Sequence, residues 1–95
     1  MAPKENDSAR SWEGADGHRF ALEVLQLPLR RRMLWIIASG INGNEGIERE
    51  LALSSALAEY HLAMLEKALV IERTDDGWSA TSTGRLYLDK VEARR

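Results

Sequence analysis

The chain has 95 residues, of which 44% are hydrophobic and 29% charged, and its formal net charge at pH 7 is −2. This length fits one small domain with a single core, and the near balance of charges predicts no general attraction to polyanions. The absence of cysteine excludes disulfides, thiolate metal sites and cysteine nucleophiles.

The N-terminal segment, MAPKENDSARSWEGADG, is polar and mixed in charge, and Trp12 is its one large apolar residue. Such a segment buries too little apolar surface to offset the entropy of ordering. We therefore expect a flexible arm over residues 1–17 and a folded domain over residues 18–95, with Trp12 either pinned to the domain or a partner, or free in solvent. The segment lacks the apolar core of a secretory signal, and no apolar run elsewhere approaches the roughly 20 residues that cross a bilayer, so we expect a cytoplasmic protein.

Helical periodicity begins at HRFALEVLQ, where Phe20, Val24 and Leu27 recur at spacings of four and three. Pro28 is expected to end this helix and to start the second, PLRRRMLWIIASG, because proline suits the first helical position. Gly40 is expected to cap the end of the second helix. The residues of the second helix expected in the core are Met33, Leu34, Ile36 and Ile37.

Two further helices are predicted next. Asn44 is expected to cap a short helix, EGIERELA, and Ser54 a longer one that ends near Lys67. On a helical wheel at about 100° per residue, the longer helix has distinct inward and outward sides. Its expected inward residues are Ala58, His61, Leu62, Leu65 and Leu69, and its expected outward residues are Ala56, Tyr60, Ala63 and Lys67. Leu57 and Met64 flank the outward side, where they either form a partner surface or are covered by the preceding helix.

The C-terminal third predicts a hairpin and a last helix. The runs LVIERT and WSATS flank Asp-Gly, and glycine supplies the positive φ that a hairpin turn needs. Trp78, which opens the second run, is expected to pack across to Val70 or Glu72. The last helix is predicted from about Thr83 to the end of the chain.

A hairpin that directly follows paired helices resembles the winged helix-turn-helix regulators of the arsenic-repressor (ArsR) type. Four stretches carry the resemblance: LPLRRRML at the second helix, the family's His-Leu-x-x-Leu from His61 to Leu65, IERTDDGWSA at the wing, and Thr-x-x-Gly at Thr81 and Gly84. The chain departs from the family at Leu69, where glycine is usual. The resemblance implies a mostly α (α+β) fold, a winged helix-turn-helix with a two-stranded β-hairpin wing and a C-terminal dimerisation helix.

The resemblance also implies a homodimeric, sequence-specific DNA-binding transcriptional regulator with double-stranded DNA as its partner. In a helix-turn-helix, the first outward residues of the second helix reach base edges in the major groove. The residues expected there are Ser54, Ser55, Ala56, Glu59 and Tyr60. The residues expected to steady the DNA backbone are Arg30, Arg31, Arg32 and Arg73. The residues expected at the dimer interface are Leu86, Tyr87, Leu88 and Val91.

Two alternatives remain open. The arginines of the second helix could instead pair with Glu23, Glu48 or Glu50 as a solvated face. From Glu45 to Asp76, moreover, the sequence has eight acidic and three basic residues, a net charge of −5, although most protein–DNA affinity comes from neutralising phosphates. The alternative function is therefore a winged-helix protein-interaction module that has lost most of its DNA affinity.

The sequence contains no pattern typical of an enzyme. Ser54 and Ser55 have no accompanying base and no glycine-lined elbow. The two histidines are His18, near the flexible arm, and His61, on the core side of a helix, so ligands for a transition metal are too few. We therefore expect no catalysis, no cofactor and no metal sensing.

Overall fold

The structure is a computed structural model that describes the backbone of residues 15–93 and the side chains of residues 16–90. Within these residues the chain forms five helices and one two-stranded antiparallel sheet. The elements in chain order are α1 (Ala15–Val24), α2 (Pro28–Ala38), α3 (Asn44–Leu51), α4 (Ser55–Lys67), β1 (Ile71–Thr74), β2 (Gly77–Ala80) and α5 (Ser82–Ala93). The described part is therefore mostly helical, and the predicted α+β class is confirmed.

The N-terminal boundary differs from the prediction. α1 begins at Ala15, before the predicted domain start at residue 18, so His18, the residue expected next to the flexible arm, lies within a helix. Trp12 and the rest of residues 1–14 lie outside the described residues. None of the described helices is both long and apolar enough to cross a bilayer.

Pro28 occupies the first turn of α2, as predicted. The fixed φ of proline suits a helix start, but proline has no N–H. It therefore cannot donate to the carbonyls at the end of α1, which have no donor within their own helix. Arg31 supplies the missing donors, because its Nη1 donates to the Leu25 carbonyl at 2.8 Å and to the Gln26 carbonyl at 3.0 Å. The junction between α1 and α2 is thus closed by a side chain from the second turn of α2.

Three helices end in the same motif, in which paired backbone hydrogen bonds close the last turn around one residue of positive φ. Gly40, at φ 116°, closes α2 as predicted, Ala52, at φ 55°, closes α3, and Leu69, at φ 65°, closes α4. For α4 the bonds run from Leu69 N–H to the Glu66 carbonyl and from Val70 N–H to the Leu65 carbonyl. A residue with a Cβ disfavours this conformation, so Leu69 and Ala52 are strained where glycine would not be.

The helix starts are only partly as predicted. Ser54 caps α4, and its Oγ accepts from the Leu57 N–H at 3.2 Å. The prediction that Asn44 caps α3 is wrong by one residue, because Asn44 is the first helical residue and Gly43 is the cap. The Asn44 side chain is used elsewhere, as the acceptor for the indole of Trp78.

The predicted hairpin is confirmed, with Asp75 and Asp76 in the turn between the strands. Its register places Trp78 opposite Arg73 and Ser79 opposite Glu72, so the strand partner of Trp78 is not Glu72, while Trp78 and Val70 both belong to the buried core. Gly77, at φ 139°, lies so close to the loop before α3 that an added Cβ would stand 2.1 Å from the Asn42 carbonyl oxygen. The hairpin is therefore seated directly on that loop.

The core lies between α2, α4, the hairpin and α5. Its largest fully buried side chains are Met33, Leu34, Ile36, Ile47, Leu62, Leu65, Val70 and Ile71, which include three of the four core residues predicted for α2; Ile37, the fourth, is also buried. α5 begins at Ser82, one residue before the prediction, and the Thr81 hydroxyl accepts from the Gly84 N–H and donates to the Leu69 carbonyl. This hydroxyl joins the end of α4 to the start of α5.

Candidate functional site

The exposed side of α4 and the adjoining hairpin form the candidate site. A turn over residues 52–54 joins α3 to α4, and the two helices pack against each other. Four of the five residues predicted to face inward on α4 are buried, namely Ala58, His61, Leu62 and Leu65. Leu69 is the exception, because the chain leaves the helix at its positive φ and exposes the side chain.

The predicted outward residues of α4 are exposed: Ala56, Tyr60, Ala63 and Lys67. Leu57 and Tyr60 are the large apolar side chains there, with exposed fractions of 50% and 55%. Met64, on the same flank as Leu57, is half-buried and packs against the core. The open side of α4 therefore carries a small apolar area towards its N-terminal end.

The five α4 residues predicted to meet the major groove are all exposed, but two hydroxyls are already engaged. Ser54 caps the helix, and Ser55 Oγ donates to Glu48 Oε1 at 3.2 Å. The side chains of Glu59 and Tyr60 make no such local hydrogen bond, and the Ala56 side chain is a methyl group. Among these five residues, the polar side chains that make no local hydrogen bond within the described part of the chain are thus those of Glu59 and Tyr60.

The structure places Arg30 inward rather than towards solvent. Arg30 is 8% exposed, and its Nε donates to His61 Nδ1 at 3.1 Å. Its Cζ lies 5.5 Å from the centroid of the Tyr60 ring, which in turn meets the His61 ring edge-on at 5.2 Å. Burial, and secondarily the positive charge of Arg30, lower the pKa of His61 from its ordinary value. Arg30 thus connects α2 to α4, and its side chain is not free to contact a DNA backbone as predicted.

The other three arginines predicted to contact DNA differ in their exposure and in their contacts within the protein. Arg31 is half-buried and bonded to the α1–α2 junction. Arg32 is exposed. Arg73 is also exposed, and its Cζ lies 4.3 Å from the centroid of the buried Trp78 ring. The guanidinium groups of Arg32 and Arg73 are therefore the ones accessible to a large anionic partner.

The surface around α4 is acidic. Of the eight acidic residues between positions 45 and 76, all except Glu48 are exposed, and Glu48 is half-buried beside Ser55. The three basic residues of the same segment, Arg49, Lys67 and Arg73, are exposed too. An anionic partner must therefore contact this region at selected points, since a broad approach would bring it against carboxylates.

The residues predicted at a dimer interface separate into two groups. Tyr87 and Leu88 are buried in the core of the single chain, so their side chains are not on its open surface. The Tyr87 hydroxyl forms a hydrogen bond with His18 Nδ1, and the two rings stack with centroids 5.5 Å apart. Leu86 is 53% exposed, while Val91 falls where only the backbone is described. Leu86 is therefore the predicted interface residue that α5 offers to a partner.

The described residues gather few groups for chemistry. Across residues 16–90, whose side chains the structure describes, no three His, Asp or Glu side chains come together as metal ligands. His61, the histidine of α4, is 7% exposed and its Nδ1 is occupied by Arg30.

The sequence matches no protein-family model and no curated protein to a significant degree.

Proposed function

We propose that the protein is a winged helix-turn-helix regulator of transcription that binds double-stranded DNA as a homodimer and senses no metal. α3 and α4 are the helix-turn-helix in this proposal, and β1 and β2 are the wing. The observation that carries it is the order and packing of these elements: a short helix, a tight turn, a longer helix with one open side, and a hairpin seated next to the pair. In this arrangement the second helix enters the major groove.

The expected base contacts come from the start of α4. Ala56 suits the methyl group of thymine, and Tyr60 can donate to or accept from a base edge. Glu59 can accept from the amino group of cytosine, which would convert an unfavourable charge into sequence preference. Ser54 and Ser55 lie at the same end, and each could contact the groove while keeping its local bond, since a hydroxyl can donate one hydrogen bond and accept two.

The expected backbone contacts are fewer than the sequence alone indicates. Arg32 and Arg73 are exposed and suited to phosphates, whereas Arg30 and Arg31 are engaged within the protein. Few phosphate contacts imply weak non-specific binding and a shallow salt dependence, because each neutralised phosphate releases counterions. The protein is therefore expected to bind a specific operator and to ignore random duplexes at moderate salt.

Titration against two duplexes tests this function. The first is the DNA upstream of the protein's own gene and the second is a shuffled duplex of the same length, each at two salt concentrations. Tighter binding to the upstream DNA, weakened by salt, is the expected result. Equal failure to bind both duplexes at low salt would end the proposal.

A second function, a winged-helix module that docks a protein, is favoured by one observation. Leu57 and Tyr60 are exposed side by side on α4, within a surface of net negative charge. An apolar area ringed by carboxylates suits a protein better than a phosphate backbone. The two functions respond differently to salt, since an apolar contact does not weaken steeply as salt rises.

A further inference from the structure

The exposed guanidinium of the hairpin is supported by an aromatic ring. Arg73 and Trp78 are cross-strand partners, so their side chains lie on the same face of the hairpin. The Arg73 Cζ is 4.3 Å from the Trp78 ring centroid, well within the range of a cation–π contact. A guanidinium that lies over an aromatic ring can still donate from the N–H groups along its edge.

Trp78 is itself held in place by hydrogen bonds to the segment over residues 42–44. Trp78 Nε1 donates to Asn44 Oδ1 at 2.9 Å, and the Trp78 backbone N–H donates to the Asn42 carbonyl at 2.9 Å. Trp78 is buried, and the close approach of Gly77 to Asn42 brings the hairpin backbone against the same loop. The Asn44 side chain, the indole and the Arg73 guanidinium thus form one continuous chain of contacts.

We propose that Trp78, anchored by Asn44, is a positioning residue that holds the Arg73 guanidinium at a fixed place on the hairpin, where it binds a phosphate of the DNA backbone. This inference rests on the proposed function. It assigns to Asn44 and Trp78 a role in DNA affinity although neither side chain is expected to touch DNA.

The physical gain is a reduction in the entropy lost on binding. A free arginine side chain loses considerable rotamer freedom when it is fixed against a phosphate. In this protein the stack restricts Arg73 before DNA arrives, while the planar fork of donors still matches phosphate geometry. One such arginine compensates in part for the acidic turn at Asp75 and Asp76, which would otherwise repel the backbone.

NMR of the free protein tests the positioning itself. The ring current of Trp78 should shift the Cδ protons of Arg73 upfield of those of Arg85, an exposed arginine on α5. Asn44→Ala, which leaves the core side of Trp78 intact, should reduce that shift. If the Cδ protons of Arg73 have the same chemical shift as those of Arg85 in the parent protein, the inference is overturned, whether or not the parent protein binds DNA.

Titration with the upstream duplex tests the consequence. Arg73→Gln should weaken binding and lower the salt slope by about one unit, because one phosphate contact is lost. Trp78→Phe keeps the charge, so it should leave the slope unchanged and weaken binding by about two- to fivefold. Asn44→Ala should act in the same direction as Trp78→Phe, which guards against a Trp78 variant that fails to fold.

The combined variant separates positioning from a purely structural role. If Trp78 acts through Arg73, Arg73→Gln should cost less affinity in the Trp78→Phe background than in the parent. Arg85→Gln is the matched control and should leave both affinity and slope unchanged. Additive losses, or no effect of Arg73→Gln on a parent that binds DNA, would overturn this inference alone. A parent that binds no duplex would overturn the phosphate role together with the proposed function.

Discussion

Arg30 and His61 form a buried polar contact between α2 and α4, with Arg30 Nε donating to His61 Nδ1 at 3.1 Å. Because Nδ1 accepts this bond, the neutral ring carries its proton on Nε2. A second proton would have to go to Nδ1, where it would remove the acceptor and place two cations side by side. Folding therefore depends on a neutral His61, and this dependence links stability to pH.

The free energy of unfolding should fall as the pH is lowered below about 6.5, the ordinary pKa of histidine. The pKa of His61 is lowered in the folded protein by burial and by Arg30, so the unfolded chain takes up the proton at a higher pH than the folded one. The stabilisation is complete above the unfolded pKa and is lost as the pH falls through the folded pKa. Urea unfolding between pH 5 and 8 measures it.

Two variants identify the group responsible. His61→Gln removes the titrating ring, so the loss of stability attributable to this site should disappear from the same pH range. Arg30→Met removes the charge and keeps the aliphatic stem, so the pKa of His61, followed by NMR, should move back towards its ordinary value. A His61 pKa that is the same in the parent and in Arg30→Met would contradict the role given to Arg30.

The positions of the helices and the hairpin could be predicted because each depends on local signals. Apolar residues at helical spacing, Pro28 at a helix start, Ser54 as a cap and Asp-Gly in the turn all act within a few residues. The residue type of Arg30 does not indicate its inward position, because arginine usually lies at the protein surface. Its spacing from Met33, Leu34 and Ile37, all buried, placed it on the inward side of α2.

The candidate site could be predicted less well, since it depends on contacts between distant segments. Asn44 and Trp78 are 34 residues apart in the chain, and no local pattern indicates that one accepts a hydrogen bond from the other. Leu69 closes α4 with a positive φ, a conformation that leucine disfavours, so its residue type does not indicate this turn and only the backbone shows it.

Leu69→Gly should stabilise the protein by about 0.5–1 kcal/mol, because glycine adopts a positive φ without steric cost and this gain exceeds its extra entropy when unfolded. The Leu69 side chain is exposed, so little packing is lost. Ala68→Gly is the matched control, since Ala68 has a helical φ of −79° and should instead lose about 0.5–1 kcal/mol. Thermal unfolding of the parent and of both variants measures these changes in stability. If Leu69→Gly destabilises the protein, Leu69 is not strained in the parent.

Gly77→Ala should destabilise the protein by roughly 2 kcal/mol or more, because the new methyl group would meet the Asn42 carbonyl and the positive φ would be strained. An added Cβ would stand 2.1 Å from that oxygen. Gly43→Ala, on the same loop, is the control, since nothing lies within 4 Å of its added Cβ. It should cost less than about 1 kcal/mol as a weaker helix cap. Equal losses in the two variants would contradict the seating of the hairpin on this loop.

Leu86→Glu should convert the proposed homodimer into a monomer and leave the fold intact. Leu86 is exposed on α5 whereas Tyr87 and Leu88 are buried in the single chain, so a dimer seam on this helix must use Leu86 and its exposed neighbours. In a symmetric interface the new carboxylate at position 86 would be buried close to the same carboxylate of the partner subunit, and the burial and repulsion of two negative charges would destabilise the dimer. Sedimentation at tens of micromolar measures the change, with Leu22→Glu on α1 as the control. A parent that is already monomeric would end the dimer proposal.

The acidic side chain on the open face of α4 gives the sharpest comparison of the two proposed functions. Glu59 is exposed among the residues expected to meet the major groove. If α4 enters the groove, Glu59→Gln should raise affinity for a shuffled duplex by about two- to threefold, because a negative charge several ångströms from phosphates is removed. It should also reduce the preference for the upstream duplex, since an acceptor for a cytosine amino group is lost. Asp89→Asn removes the same charge from an exposed position on α5 and should have neither effect.

If α4 instead docks a protein, Glu59→Gln and Asp89→Asn should both leave the DNA titrations unaltered. Tyr60→Ala should then remove the partner contact, because Tyr60 is the largest exposed apolar side chain on that face.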